Sequence, residues 1–145
     1  MYKKSKKWIP EELFKKLFKF IPLFTVDVII KSRVGVLLSK REIPPCKGCW
    51  HLPGGIIRYG ERVEEAVKRV TKEETGLKVK IKKFIGIYDS PKRDPRGHVI
   101  SLCFLTEPIG GKLKGSWQAK EVKFFSKLPR NIGFDHRKML KDAGI

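Results

Sequence analysis

Long apolar runs, cysteines and side-chain amides are all scarce in this sequence of 145 residues. No stretch reaches the ~20 apolar residues needed to cross a bilayer, because lysines interrupt every candidate. The three cysteines are an odd number and cannot form a complete disulfide framework, which favours a reducing cytoplasm. The single asparagine and single glutamine, Asn131 and Gln118, fit a heat-loving source, although biased codon usage gives the same pattern.

Acidic residues are also few, with 15 against 33 lysines and arginines, and the formal net charge is +18. Such a charge attracts polyanions, whether nucleic acid, nucleotide phosphates or an anionic membrane. The alternative is a solvated lysine coat that maintains solubility. The basic residues are spread along the chain, and aromatic residues do not interleave with them as a single-strand binding platform requires. The charge therefore favours an anionic ligand, with nucleic acid possible but not favoured.

The length and the hydrophobic content of 41% predict one folded domain over residues 1–145, and its predicted helices and strands make it α+β. Residues 1–21 include an amphipathic helix, predicted over Pro10–Phe20, whose apolar stripe either packs on the domain or rests on an anionic membrane. Periodicity predicts the remaining helices and strands. The predicted strands are Thr25–Ile30, Val34–Leu38, Trp50–Leu52 before a glycine turn, Leu77–Ile87, Val99–Thr106 and Glu121–Phe125; the predicted helices are Arg62–Thr75, which Gly76 ends, and Asp135–Lys141.

The helix that ends before Gly76 carries two adjacent carboxylates, Glu73 and Glu74, that project from its last turn toward one side. Carboxylates are unfavourable there because a helix C-terminus is already electronegative. A hard divalent cation with oxygen ligands, such as Mg²⁺, would hold such a pair together. Arg69 is spaced to clamp Glu73, and the Pro53-Gly54-Gly55 turn lets backbone carbonyls approach the same metal.

The spacing of these residues resembles the signature of the Nudix hydrolase family. That signature is a glycine, five residues, a glutamate, seven residues, and then R-E-U-x-E-E-x-G-U, in which U is aliphatic. Gly55, Glu61 and Arg69 stand at these spacings, and the pattern closes with Glu73-Glu74-Thr75-Gly76-Leu77. Val70 replaces the glutamate that should follow the arginine. The resemblance implies that one carboxylate of a three-carboxylate metal cluster is missing here, which weakens or removes one metal site.

The resemblance also implies a Nudix-type α/β/α sandwich, with a mixed β-sheet and the Nudix helix at the active site. It implies hydrolysis of a nucleoside diphosphate linked to a sugar, with Mg²⁺ as cofactor and Mn²⁺ as a possible substitute. The implied catalytic residues are Glu61, Arg69, Glu73 and Glu74, and the implied metal ligands are the Gly54 carbonyl, Glu73, Glu74 and Gln118. In this scheme Glu61 supports the loop and the metal waters, and relatives often form homodimers.

The sequence resembles two subfamilies that act on different substrates. The segment 93–101 and the tail 133–136 are similar to ADP-ribose pyrophosphatases. Segments 22–27 and 37–41 are similar to GDP-mannose mannosyl hydrolases, which attack the sugar carbon with help from a histidine that is Ala119 in this chain. Under either assignment Asp27 is a candidate hydrogen-bond acceptor in the substrate pocket. Arg41 is a candidate phosphate clamp, and its alternative is an exposed surface arginine.

The sequence thus favours hydrolysis at phosphorus by an ADP-ribose-type pyrophosphatase and keeps two alternatives. One is attack at the sugar carbon, and the other is a catalytically weakened module that binds a nucleotide or RNA. Both alternatives are motivated by Val70, and the second also by the positive charge. The attacking base stays open between Glu73, Glu121 and a hydroxide held by the metal.

Overall fold

The computed structural model describes residues 9–145, and within them ten helices and strands follow one another. In chain order these are α1 (Glu11–Leu17), β1 (Leu23–Ser32), β2 (Gly35–Lys40), β3 (Trp50–His51), β4 (Gly54–Ile56), α2 (Val63–Thr75), β5 (Leu77–Tyr88), β6 (Val99–Gly111), β7 (Val122–Phe125) and α3 (His136–Asp142). The prediction of one domain over 1–145 includes residues 1–8, which lie outside the described residues. It therefore stays a prediction, as does the packing of the whole segment 1–21.

The strands of the described chain form one mixed sheet with the order β3-β2-β1-β6-β5. Strand β1 pairs in parallel with β6 over eight residue pairs, from Leu23 with Val99 to Ile30 with Thr106. The other named strand pairs are antiparallel, with β4 joined to β1 and β7 joined to β2. The long strand β1 therefore lies at the centre of the sheet, where it pairs with β2, β4 and β6.

Apolar side chains alternate along β1 between two buried clusters, one on each face of the sheet. Val28 packs with Val67 of α2 in the first cluster, and Ile29 packs with Met139 and Leu140 of α3 in the second. All five side chains are fully buried. Because successive strand residues point to opposite faces, one strand supplies both cores. The sheet therefore lies between helices, and the predicted α/β/α sandwich with a mixed sheet is confirmed.

Helix α2 begins and ends at residues that the sequence identifies. The Glu65 carboxylate accepts a hydrogen bond from the backbone N–H of Arg62, which caps the first turn. Gly76 ends the helix with φ of 76° in the left-handed region, and its N–H donates to the Lys72 carbonyl at 2.9 Å. A Cβ at Gly76 would also collide with the carbonyl of Lys112.

Two details differ from the prediction. Helix α1 ends at Leu17 rather than at Phe20. Its Phe14 is buried, and the ring of Phe18, just after the helix, packs over Gly97. The predicted glycine turn is strand β4, because Gly54, Gly55 and Ile56 pair with β1. This pairing fixes the two glycines beside the centre of the sheet. No helix among residues 9–145 is long and apolar enough to cross a membrane.

Candidate active site

A pocket opens where β1, β4 and α2 meet, and it collects most of the predicted site residues. Its lining combines acidic, basic and glycine positions from distant parts of the chain. Of the predicted set it includes Asp27, Arg41, Gly54, Arg69, Glu73, Glu74 and Gln118. The structure thus places substrate-binding and metal-binding candidates around one cavity.

Arg69 is the centre of an ion-pair cluster on one wall of the pocket. Its Nε and Nη2 donate to the two carboxylate oxygens of Glu61 at 2.6 and 2.9 Å. Its Nη1 donates to Glu73 at 3.2 Å, and Nη2 also donates to the carbonyl of Ile56 at 2.8 Å. The contact between Arg69 and Glu73 that the spacing predicts is therefore confirmed.

The ion pair between Arg69 and Glu61 shifts the pKa of both groups. Burial raises the pKa of Glu61, but hydrogen bonds from Arg69 and from the backbone of Arg58 outweigh burial and lower it overall. The hydrogen bond to Glu61 raises the pKa of Arg69 above its ordinary value. Glu61 does not line the pocket and instead holds the arginine that ties β4 to α2. Glu61 therefore acts on the site through its ion pair with Arg69. Its predicted role in supporting the metal waters stays untested.

Glu74 is buried at the end of α2, and a loop residue fixes its carboxylate. The hydroxyl of Ser116 donates to Glu74 Oε2 at 2.8 Å from a segment 42 residues further along the chain. Glu73 next to it is more exposed and lies 3.5 Å from Nη2 of Arg58 in addition to its contact with Arg69. The two adjacent glutamates therefore have different surroundings, with a hydroxyl on one and two guanidinium groups on the other.

Strand β4, which contains Gly54 and Gly55, passes close to both β1 and α2. A Cβ at Gly54 would collide with Asp27 Oδ1, and one at Gly55 would lie 2.9 Å from Cγ2 of Val70. Only residues without a side chain fit at this approach. Val70 is buried under Gly55, in the position where the family signature has a glutamate. An apolar side chain therefore fills the place of the missing carboxylate.

Oxygen atoms of the residues that line the pocket suit a hard divalent cation. Glu73, Glu74, the Gly54 carbonyl and the amide of Gln118 are all oxygen donors, which Mg²⁺ and Mn²⁺ prefer. Residues 9–145 contain no cluster of three or more histidines, cysteines or carboxylates arranged to hold a metal. Since Mg²⁺ commonly keeps several waters and takes one or two protein carboxylates, a two-glutamate site fits that ion.

Asp27 lies in the pocket wall with its carboxylate enclosed by polar groups. The hydroxyl of Ser101 donates to Asp27 Oδ2 at 2.5 Å, Arg93 Nη2 lies 3.6 Å from the same oxygen, and His136 Nε2 lies 3.4 Å from Oδ1. Burial raises the pKa of Asp27, but His136, Ser101 and Arg93 outweigh burial and lower it to about 2. Arg93 is itself held by Asp135 through bonds of 2.8 and 2.7 Å.

Arg41 is buried, so the alternative of an exposed surface arginine is wrong. Its Nε donates to the carbonyls of Ile43 and Pro45 at 3.1 and 2.7 Å, and its Nη2 donates to that of Pro44 at 3.1 Å. These bonds hold the loop that contains Pro44 and Pro45 in place. They do not test the predicted role of Arg41 as a phosphate clamp. The guanidinium also lies 5.5 Å from the ring centre of Phe134, a pocket residue with φ of 56°.

The candidates outside the motif, Gln118 and Glu121, have different outcomes in the structure. Gln118 lines the pocket, as a metal ligand there requires, and its ligand role stays a prediction. Glu121 is exposed, does not line the pocket and lies 4.0 and 3.8 Å from the amines of Lys40 and Lys123. Its position gives no support to Glu121 as the attacking base.

Sequence reasoning missed two polar residues that contact the glutamate pair. Arg58 contacts Glu73, and Ser116 contacts Glu74. Arg58 stands three residues after Gly55, close enough to the motif to be suspected from its position. Ser116 carries no such signal, because its loop reaches Glu74 only after the chain has folded.

Comparisons with known proteins agree with this geometry. A family model described as NUDIX domain matches residues 22–142. Over 141 residues the chain is 50% identical to a protein named ADP-ribose pyrophosphatase from Methanocaldococcus jannaschii, and the match covers 95% of this chain and 83% of that protein.

Solved structures of similar fold point to the same family. A MutT NUDIX hydrolase from Burkholderia pseudomallei superimposes with a TM-score of 0.76 at 25% identity, over 84% of this chain and 98% of that one. A bifunctional NMN adenylyltransferase/ADP ribose pyrophosphatase from Francisella tularensis, complexed with AMP and a Mn ion, gives 0.75 at 26% identity, over 90% of this chain and 43% of that one. With the motif, the fold and the family match in agreement, this chain belongs to the NUDIX family and is a Nudix hydrolase.

Proposed function

We propose that this Nudix hydrolase is an ADP-ribose pyrophosphatase. Water attacks one phosphorus of ADP-ribose, the P–O–P linkage breaks, and AMP and ribose 5-phosphate leave. The observation that carries the proposal is the lining of the pocket, in which Glu73 and Glu74 face the same cavity as a set of guanidinium groups. These are the side chains of Arg41, Arg58, Arg69, Arg93 and Arg96. The relative from Methanocaldococcus jannaschii, which bears the same activity in its name, supports this choice of substrate.

The proposed cofactor is Mg²⁺, with Mn²⁺ as a substitute. Glu74, the Gly54 carbonyl and Gln118 would hold the ion, and Glu73 would support or join them. When bound, the ion supplies charge neutralisation to the diphosphate. The fit of the oxygen donors supports the proposal, and so does the Mn ion in the Francisella tularensis structure.

The proposed site residues are oriented by other side chains before any substrate binds. Arg69 holds Glu61 and Glu73 through its two edges and binds the carbonyl of Ile56, so it connects β4 with α2. Ser116 holds the carboxylate of Glu74. Because these groups are already oriented, little reorganisation is needed when charge develops on the diphosphate.

Separation of reaction products tests this proposal. The purified protein should convert ADP-ribose to AMP and ribose 5-phosphate in the presence of Mg²⁺, and a chelator should abolish the conversion. GDP-mannose and other nucleotide sugars, dinucleoside polyphosphates and nucleoside triphosphates complete the panel. Turnover of another compound with none of ADP-ribose would contradict the proposed substrate.

Attack at the sugar carbon remains the second candidate, because Val70 occupies the position of a signature glutamate. Hydrolysis in ¹⁸O-labelled water distinguishes the two routes. Label in a phosphate group of AMP or ribose 5-phosphate supports attack at phosphorus, whereas label in a free sugar supports attack at carbon. Ala119 is buried where that second route has a histidine, which favours attack at phosphorus.

We also propose a cytoplasmic location and keep a homodimer as a prediction. Light scattering of the purified protein measures its oligomeric state. The third candidate is a catalytically weakened module that binds a nucleotide or RNA, and its RNA form requires an affinity that falls steeply with salt while no nucleotide is hydrolysed.

A further inference from the structure

Two cysteines stand three positions apart in the loop between β2 and β3, where the chain reads Cys46-Lys47-Gly48-Cys49. The N–H of Cys49 donates to the carbonyl of Cys46 at 3.1 Å, so these four residues form a tight turn. The Cα atoms at the ends of such a turn lie within about 7 Å of each other, and disulfides join Cα atoms up to about 6.8 Å apart. The turn therefore brings the two cysteines close enough for a disulfide.

The two sulfur atoms also lie beside the same backbone position, Gly133. A Cβ added there would collide with Sγ of Cys49 and would lie 2.8 Å from Sγ of Cys46. Gly133 is buried, and its N–H donates to the carbonyl of Trp50 at 2.8 Å, which holds it against the turn. Two atoms that both approach one point this closely are near each other. The side chains of the pair therefore point to the same side of the turn, as a disulfide between them requires.

The two thiols differ in their access to solvent. Cys46 is exposed, whereas Cys49 is buried. Burial and the neighbouring thiol of Cys46 raise the pKa of Cys49 to about 12, so Cys49 keeps its proton at neutral pH. Cys46 is therefore the sulfur that a reagent from solvent meets first. Redox-sensitive cysteines commonly combine an accessible sulfur with a second cysteine beside it.

The pair lacks the companions that a structural zinc site needs, since such a site has four ligands. The part of the chain that the structure describes holds no group of three or more histidines, cysteines or carboxylates arranged for a metal. Cys103, the third cysteine, is buried in β6. The surroundings of Cys46 and Cys49 therefore favour the chemistry of a dithiol.

The turn closes on Arg41, one of the guanidinium groups of the pocket. The carbonyl of Arg41 accepts a hydrogen bond from the N–H of Gly48 at 2.7 Å, and its N–H donates to the carbonyl of Cys49 at 2.8 Å. Its guanidinium binds the carbonyls of residues 43–45 on the other arm of the loop. A bond between Cys46 and Cys49 would therefore close the loop beside the residue around which it folds.

We propose that Cys46 and Cys49 form a reversible disulfide that stabilises the loop of residues 41–49. The oxidant is the disulfide of a small thiol, such as glutathione disulfide. The thiolate of Cys46 attacks one sulfur of the oxidant, whose S–S bond breaks and releases a first thiolate. The sulfur of Cys49 then attacks that of Cys46, its proton passes to the leaving sulfur, and the second small thiol departs. The protein gives up two electrons, and the oxidant becomes two thiols. In a reducing compartment such a bond is transient.

Digestion with trypsin tests the pair directly, because Lys47 lies between the two cysteines. The purified protein is incubated with glutathione disulfide, its remaining thiols are alkylated under denaturing conditions, and trypsin then cleaves after Lys47 and after the flanking arginines. Mass spectrometry should find residues 42–47 linked to residues 48–58. Addition of a reductant should separate the two peptides.

The same digest contains its own control and the results that would overturn the proposal. Cys103 should be alkylated, since burial in β6 keeps the oxidant away from it. Alkylation of both Cys46 and Cys49 would contradict the proposal. So would a lasting mixed disulfide with glutathione or a disulfide between two copies of the chain.

Thermal unfolding tests the effect on the loop. Oxidation should raise the Tm of the wild-type protein by a few °C, because the disulfide restricts the unfolded chain. Cys46→Ser removes an exposed sulfur and should show neither the linked peptides nor the shift in Tm. Linked peptides with an unchanged or lower Tm would contradict the stabilising role. Neither measurement uses turnover, so a failure of the proposed function would leave both results valid.

Discussion

At the scale of single residues, Ser116 lies in a loop without regular structure and holds the carboxylate of Glu74. Its hydroxyl donates to Glu74 Oε2 at 2.8 Å, and its own N–H donates to the carbonyl of Ala119 at 2.9 Å. The second bond fixes the turn that presents the serine. Ser116 is therefore a positioning residue for the proposed metal site, since it acts through Glu74.

We expect Ser116→Ala to raise the Mg²⁺ concentration for half-maximal activity by about tenfold, because loss of a group that orients a metal ligand weakens metal binding. The rate at saturating Mg²⁺ should change much less. Titration of activity with Mg²⁺ measures both quantities. Ser126→Ala removes an exposed hydroxyl from another loop and is the control. A lower maximal rate with an unchanged half-saturation point would contradict the positioning role.

At the scale of elements, the turn from α2 into β5 depends on a glycine that the sequence identifies. Gly76 has φ of 76° and faces the Lys112 carbonyl, whereas Gly60 has φ of 78° and no atom within 4 Å of an added Cβ. The two positions share the left-handed backbone and differ in the space around them. Comparison of the two therefore separates backbone strain from collision.

Gly60→Ala should lower the free energy of unfolding by about 1 kcal/mol, which is the strain of a side chain in that conformation. Gly76→Ala should lower it by at least about 2 kcal/mol more, because the backbone of the segment after β6 must also move. Urea unfolding followed by circular dichroism measures both values. Equal losses for the two variants would show that the close approach to Lys112 has no energetic weight.

The sequence predicts this element well because its signals are local. The apolar period of α2, the Gly76 cap and the i,i+4 spacing of Arg69 and Glu73 all lie within one short segment. Strand β4 was expected as a turn, because its three residues are extended only through pairing with β1. The contact of Ser116 with Glu74 is likewise created by the fold, so no local pattern announces it.

At the scale of the whole molecule, Asp27 joins elements from both halves of the chain. Its carboxylate lies between Ser101 of β6, His136 of α3 and Arg93 of the loop before β6. The folded protein holds its pKa at about 2, below the ordinary value of 3.8. A lowered carboxyl pKa stabilises the fold above the ordinary value, and that stabilisation is lost as the pH falls toward 2.

Comparison of the wild-type protein with Asp27→Asn should reveal this dependence. The ionised carboxylate contributes about 2 kcal/mol to the free energy of unfolding at neutral pH through its lowered pKa. The difference between the two proteins should therefore shrink by about that amount between pH 5 and pH 2. Asp89→Asn, at an exposed carboxylate, is the control. Urea unfolding across this pH range makes the measurement, and a constant difference for Asp27→Asn would contradict the account.

In the proposed mechanism, hydrolysis of the diphosphate requires the carboxylate of Glu74. The most direct measurement compares Glu74→Gln with Glu64→Gln, an exposed glutamate in the first turn of the same helix. Release of AMP and ribose 5-phosphate from ADP-ribose is followed with Mg²⁺ present. We predict a loss of roughly 100-fold or more in kcat/KM for Glu74→Gln, because the amide removes the negative charge from the proposed metal ligand, and wild-type rates for Glu64→Gln. Unchanged turnover by a folded Glu74→Gln protein would contradict the claim.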